Sequence, residues 1–69
     1  MTDQVIQLDQ FMKVCGLVST GGQAKVVIQG GEVLLNGVVE TRRKKKLKAG
    51  DEVTFAGETF IVAFEEPEE

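Results

Sequence analysis

The sequence contains no histidine, tryptophan or tyrosine, and has a single cysteine, Cys15, and a single proline, Pro67. Without histidine, and with one thiol, it lacks the ligand set of a structural zinc site and the base of a His-dependent nucleophile. One cysteine forms no internal disulfide. With no Trp or Tyr, and four Phe at positions expected to be buried or in strands, the aromatic platforms that stack single-stranded bases are missing. There is no GxxxxGK[ST] or GxGxxG loop for nucleotide phosphates. No apolar run approaches the ~20 residues of a membrane span. Met1-Thr2-Asp3-Gln4 has neither the basic nor the apolar region of a secretory leader. The expectation is a cytoplasmic, non-catalytic domain with no metal or other cofactor and no membrane partner.

What the sequence does have is charge of one sign in one place. Arg42, Arg43, Lys44, Lys45, Lys46 and Lys48 fall within residues 41–50, a window without a carboxylate. The whole chain carries eleven acidic and eight basic residues, a net −3, so outside that window Lys13 and Lys25 stand against all eleven acids, a net −9. Most of the molecule repels a polyanion and one segment attracts it. Clustered Lys and Arg bind phosphates by neutralising them and releasing counterions. Solubility alone requires charge, but not all the positive charge in one segment.

The 69 residues, 42% of them hydrophobic, are expected to form one domain over 1–64, followed by a flexible acidic tail over 65–69. Leu8, Phe11, Met12 and Cys15 follow the i, i+3, i+4, i+7 spacing of an amphipathic helix that Gly16 ends. Asp9, Gln10, Lys13 and Val14 take its outer face, and Cys15 points inward as a small hydrophobe. Thr20 followed by Gln23 is a capping box that opens a second helix of about nine residues, with Ala24, Val27 and Ile28 inward and Gly30-Gly31 at its end. The same helix start, with two glycines, offers free N–H groups and a dipole end to a phosphate, or is simply a capped turn. From Glu32 the period changes to that of strands. Asn36-Gly37 between aliphatic pairs marks a type I′ hairpin. The basic segment is expected to be a loop or an edge extension. Strands over 52–55 and 58–64 flank a tight turn at Ala56-Gly57, with Phe60, Val62 and Phe64 on one face. The fold class is α+β: two short N-terminal helices packed on a small antiparallel sheet.

Several of these stretches together resemble a known family. Leu8-Asp9-Gln10-Phe11, Thr20 with Gln23-Ala24-Lys25 and Ile28, the hairpin over 32–39 and the closing 47–53 are similar to the small RNA-binding domain named for ribosomal small-subunit protein S-four. Its core, the αL motif, is two short helices, a loop and a β-hairpin. Gly21-Gly22 before Gln23-Ala24-Lys25, and Glu40-Thr41-Arg42-Arg43 before the basic run, resemble stand-alone bacterial members of the YbcJ/YaaA type. The resemblance implies a monomeric, translation-associated protein that binds structured RNA, ribosomal or tRNA-like, with the ribosome as a candidate setting. It places Thr20, Lys25, Asn36, Arg42, Arg43, Lys44, Lys45, Lys46 and Lys48 at the RNA. Many family members carry arginine after the capping Ser or Thr, where this sequence has Gly21, so one contact is missing. The hairpin with residues 47–53 is also similar to β-grasp sulfur carriers, but those end in a free Gly-Gly and this sequence ends Glu68-Glu69. A protein-interaction module is the remaining alternative.

Overall fold

The computed structural model describes residues 4–64. The element order is β1 (Ile6–Gln7), α1 (Leu8–Val14), α2 (Gly21–Gln29), β2 (Val33–Leu35), β3 (Val38–Val39), β4 (Lys46–Leu47), β5 (Glu52–Phe55) and β6 (Glu58–Ile61). The expected acidic tail over 65–69 lies outside the described residues.

Both helices obey their local signals. In α1 the apolar stripe is buried at Leu8, Phe11 and Met12, while Cys15 is half-buried against the same core. Burial also pushes the Cys15 thiol above its ordinary pKa. Gly16, at φ +78°, turns the chain out of the helix. At α2 the Thr20 hydroxyl accepts the Gln23 N–H at 3.1 Å. The Gln23 carboxamide reaches back to the N–H of Ser19 at 2.8 Å, one residue earlier than the usual box. The helix ends in a Schellman pair: Glu32 N–H to Val27 C=O and Gly31 N–H to Ile28 C=O, both 3.1 Å, with Gly31 at φ +79°.

The four-stranded antiparallel sheet runs in the order β3-β2-β5-β6. Its register aligns Val33 with Phe55, and Leu35 with Val53 and then Phe60, so one face turns apolar side chains toward the helices. The two-residue turns Asn36-Gly37 and Ala56-Gly57 both have positive φ throughout, the I′ geometry whose twist matches the strands. Leu8, Met12, Ala24, Ile28, Val33, Leu47 and Val53 are fully shielded and form one cluster with Phe11, Val18 and Val62.

Three local expectations are corrected. The last strand ends at Ile61 rather than continuing to residue 64, although Val62 still bonds across to Asp51 and Gly50 before the chain leaves the sheet. Asp9 is buried, at 7% exposure, with its N–H bonded to the Arg43 carbonyl of the basic segment. That segment is not wholly loop: its end is strand β4, paired with β1 in a second small sheet.

Ala56 is a local cost. An L side chain at φ +55° crowds the following carbonyl, which costs about 1–2 kcal/mol, whereas asparagine tolerates that region. The residue is exposed and packs nothing. Ala56→Asn should therefore stabilise the fold by about 1 kcal/mol, raising the melting midpoint by ~4–8 °C in a domain of this size. An unchanged or lower midpoint in a thermal melt would refute the strain.

Candidate nucleic-acid interface

The basic segment is built on main-chain bonds. Arg42 C=O accepts the Lys45 N–H at 3.1 Å, closing a tight turn, and the chain then enters β4. There Gln7 pairs with Lys46 and Ile6 with Leu47. Strand alternation turns Leu47 into the core, where it is fully shielded, and leaves Lys46 and Lys48 exposed.

The segment also completes α1. A helix start leaves four N–H groups without partners, and Gln7 at the N-cap provides no side-chain bond. Instead Leu8 N–H donates to Lys45 C=O at 2.9 Å and Asp9 N–H to Arg43 C=O at 3.0 Å, while Gln10 N–H donates to the Asp9 carboxylate at 2.8 Å. The backbone of the cationic turn is thus tied to the start of a helix, and its side chains leave from a fixed base.

Two carboxylates pin its ends. Glu40 holds Arg42, with Nε donating to Oε2 at 2.9 Å, Nη2 to Oε1 at 3.3 Å, and the Arg42 main-chain N–H to Oε2 at 3.1 Å. These bonds keep the Glu40 carboxyl below the usual carboxylate range. At the other end Asp51 accepts the Lys48 N–H at 3.0 Å and the Asn36 amide at 3.3 Å, which lower its pKa likewise. Sequence reasoning missed both. The Glu40-Thr41-Arg42 spacing was the available signal, since i and i+2 share a side of an extended chain.

Asn36 is largely committed to the fold. Its side-chain oxygen accepts the Glu52 N–H at 2.9 Å and its backbone N–H donates to Glu52 C=O at 2.7 Å, which locks hairpin to sheet. Between Asn36, Asp51 and Lys45, Lys46 and Lys48 lies an open depression of about 340 Å³ with Leu35 and Leu47 in its wall. Three lysines and one carboxylate, Asp51, border this hollow. Thr20, at the N-cap of α2, and Lys25 within it are exposed, and α2 packs chiefly on α1. A Cβ on Gly21 would meet nothing within 4 Å, so the protein itself does not require glycine there.

The lowered Asp51 pKa links stability to pH. A carboxyl whose folded pKa is depressed contributes stability fully above its unfolded value, about 3.9, and loses it as pH falls through the folded value. The melting midpoints of the wild type and of Asp51→Asn should differ at pH 6 and converge as pH falls below about 3.9. A constant gap across that range would remove the linkage.

No helix among the described residues is long and apolar enough to cross a membrane, and no three potential metal-ligating side chains gather there. Comparison with known proteins agrees with this architecture. The chain is 41% identical over 57 residues to "Putative RNA-binding protein YbcJ" of Escherichia coli (strain K12), covering 83% of this chain and 81% of that protein. It is 39% identical over 54 residues to "Probable ribosome maturation protein RlbA" of Bacillus subtilis (strain 168), covering 78% and 76%. The solution structure of E. coli YbcJ, described as revealing an αL motif involved in RNA-binding, superposes with a TM-score of 0.66 at 38% identity, over 93% of this chain and 80% of that one. A family model for the S4 domain matches residues 1–63, and with the two helices, the Asn-Gly hairpin and the closing strands all in place, this chain belongs to the S4 domain family.

Proposed function

We propose that this chain is a non-catalytic, monomeric cytoplasmic protein, one domain over residues 1–64, that binds structured RNA by backbone and shape. One observation carries the reading: the only concentrated positive charge, on a molecule otherwise at −9, is fastened by its main chain to the start of α1. Phosphates meet amines carried on a preset backbone, so less main-chain ordering entropy is lost on binding. Thr20 and Lys25 on α2 supply a second contact region, with Asn36 at the hairpin edge. The names of the E. coli and B. subtilis relatives support RNA as the ligand and the ribosome or its precursors as the setting.

The phenylalanines favour the same ligand. Phe11 is buried, and Phe55, Phe60 and Phe64 are partly buried against the core, so base stacking has little to work with. Fluorescence anisotropy with a labelled RNA hairpin and an unstructured RNA of equal length tests the proposal. The hairpin should bind tighter, with a log–log salt slope of roughly −3 to −5 for four to six phosphates. Lys25→Ala should weaken different hairpins about equally and reduce the slope by about one unit. Salt-insensitive preference for poly-pyrimidine single strands would overturn the reading.

A further inference from the structure

We infer that Arg42 is a positioning residue, held by Glu40 as the clamp that sets the basic segment, and that the phosphates of the ligand are met by the other cations. The inference rests on the RNA-binding reading and divides the labour within that site.

The six cations are not equivalent. Arg42 makes a two-pronged bond to the Glu40 carboxylate, and its main-chain N–H bonds the same group. Among the described residues this is the one ion pair in the protein. The Arg42 side chain is 71% exposed, but that of Glu40 is only 12% exposed. Part of that cover is Arg42 itself, so what opposes its leaving is charge. A phosphate that captured Arg42 would strand an ionised Glu40 beside the incoming polyanion. It would gain one charge-assisted contact, lose another, and add a like-charge repulsion. As a pair, Glu40 and Arg42 bring no net charge to the interface. Among the described residues Arg43, Lys44, Lys45, Lys46 and Lys48 make no ion pair, although Lys45 and Lys48 lie near the Asp51 carboxylate.

The clamp also has a structural task. Glu40 follows β3, and its N–H bonds Val33 C=O at 3.0 Å, extending the hairpin by one residue. Three residues on, the Arg43 carbonyl caps Asp9, and at Lys45 the turn closes and caps Leu8. Tying Arg42 to Glu40 fixes the angle at which the chain leaves the hairpin and reaches the start of α1. Arginine suits this role because its planar fork matches a carboxylate at two points, which a lysine ammonium does not.

The test compares charge-neutral and charge-changing variants on the same RNA hairpin across salt. In E40Q/R42Q both charges vanish together, so the local net charge is unchanged. Its salt slope should match the wild type, while loss of the clamp should lower its affinity severalfold at every salt concentration. Lys46→Ala should make the slope shallower by about 0.7–0.9 and lower affinity about sixfold near 0.1 M salt. Glu40→Gln alone releases a cation to the ligand, so the slope should steepen by a similar amount and low-salt binding should tighten. A slope in E40Q/R42Q reduced as far as in Lys46→Ala would overturn the inference. If the double variant folds poorly, the wild type still decides by NMR. The Arg42 Nε–H signal should exchange slowly with water and stay in place on RNA addition while that of Arg43 moves. A large shift at Arg42 would reverse the assignment. Failure of the wild type to bind any RNA would instead remove the functional reading, and leave the clamp to be judged by that slow exchange alone.

Discussion

Replacing Lys44, Lys45, Lys46 and Lys48 by alanine should lower affinity for an RNA hairpin about a thousandfold near 0.1 M salt and leave the melting midpoint within a few degrees. The affinity follows from counterion release. Each phosphate neutralised contributes about 0.7–0.9 to the salt slope, so four lost contacts remove about three units of slope and about three decades of binding at that salt. The stability follows from where the segment does its structural work. Lys45 caps Leu8 through its carbonyl, Lys48 meets Asp51 through its N–H, and the β1–β4 pairing is main chain throughout. Alanine keeps every one of those groups. Lys44, Lys46 and Lys48 are exposed and Lys45 is half-buried. Anisotropy and a circular-dichroism melt on one preparation measure both. A loss of affinity under tenfold would move the RNA site elsewhere, and loss of the cooperative melt would show that the amines hold the fold.

The second large effect falls on the residue in the middle of that segment. Leu47→Ala should cost about 2–5 kcal/mol, because Leu47 is fully shielded and its removal leaves a cavity where β4 meets the core. A domain of this size has a total stability of only about 3–5 kcal/mol, so the variant should be substantially unfolded at 37 °C and its midpoint should fall by about 10 °C or more. RNA affinity of the folded remainder should fall too, since Leu47 seats the strand that carries Lys46 and leads into Lys48. Val39→Ala is the control: at 52% exposure on an edge strand it should change stability by no more than about 0.5 kcal/mol. Equal melting points for the two variants would mean that Leu47 does not anchor the segment.

Legibility in the sequence tracked the range of the interaction. The start of α2 was readable because the Thr20–Gln23 box acts over three residues, and its end because Gly31 must take positive φ. The Asn36-Gly37 turn was readable because few residue types accept positive φ at both positions. The six cations were readable as charge, and the order of helices and hairpin sufficed to show the family resemblance. The α1–basic-turn junction was not readable. Strands β1 and β4 are two residues each, too short for a period, and their pairing spans some forty positions. The acceptors that cap α1 are carbonyls, which every residue carries, so nothing in Arg43 or Lys45 as residue types announces them.

The amino-acid sequence by itself thus determined the helices, the turns, the α+β class and the segment in which the positive charge is concentrated. Each of these depends on backbone preferences and charge that a few neighbouring residues set. Tertiary structure alone decided that the cationic turn closes the start of α1, that Asp9 is buried with its N–H bonded to that turn and that Asn36 is bound into the sheet. It also decided that Glu40 takes Arg42 out of the free charge. These depend on distant segments meeting at hydrogen-bond distance, and only the packing of Leu8, Met12, Leu47 and Val53 into one core brings those segments together.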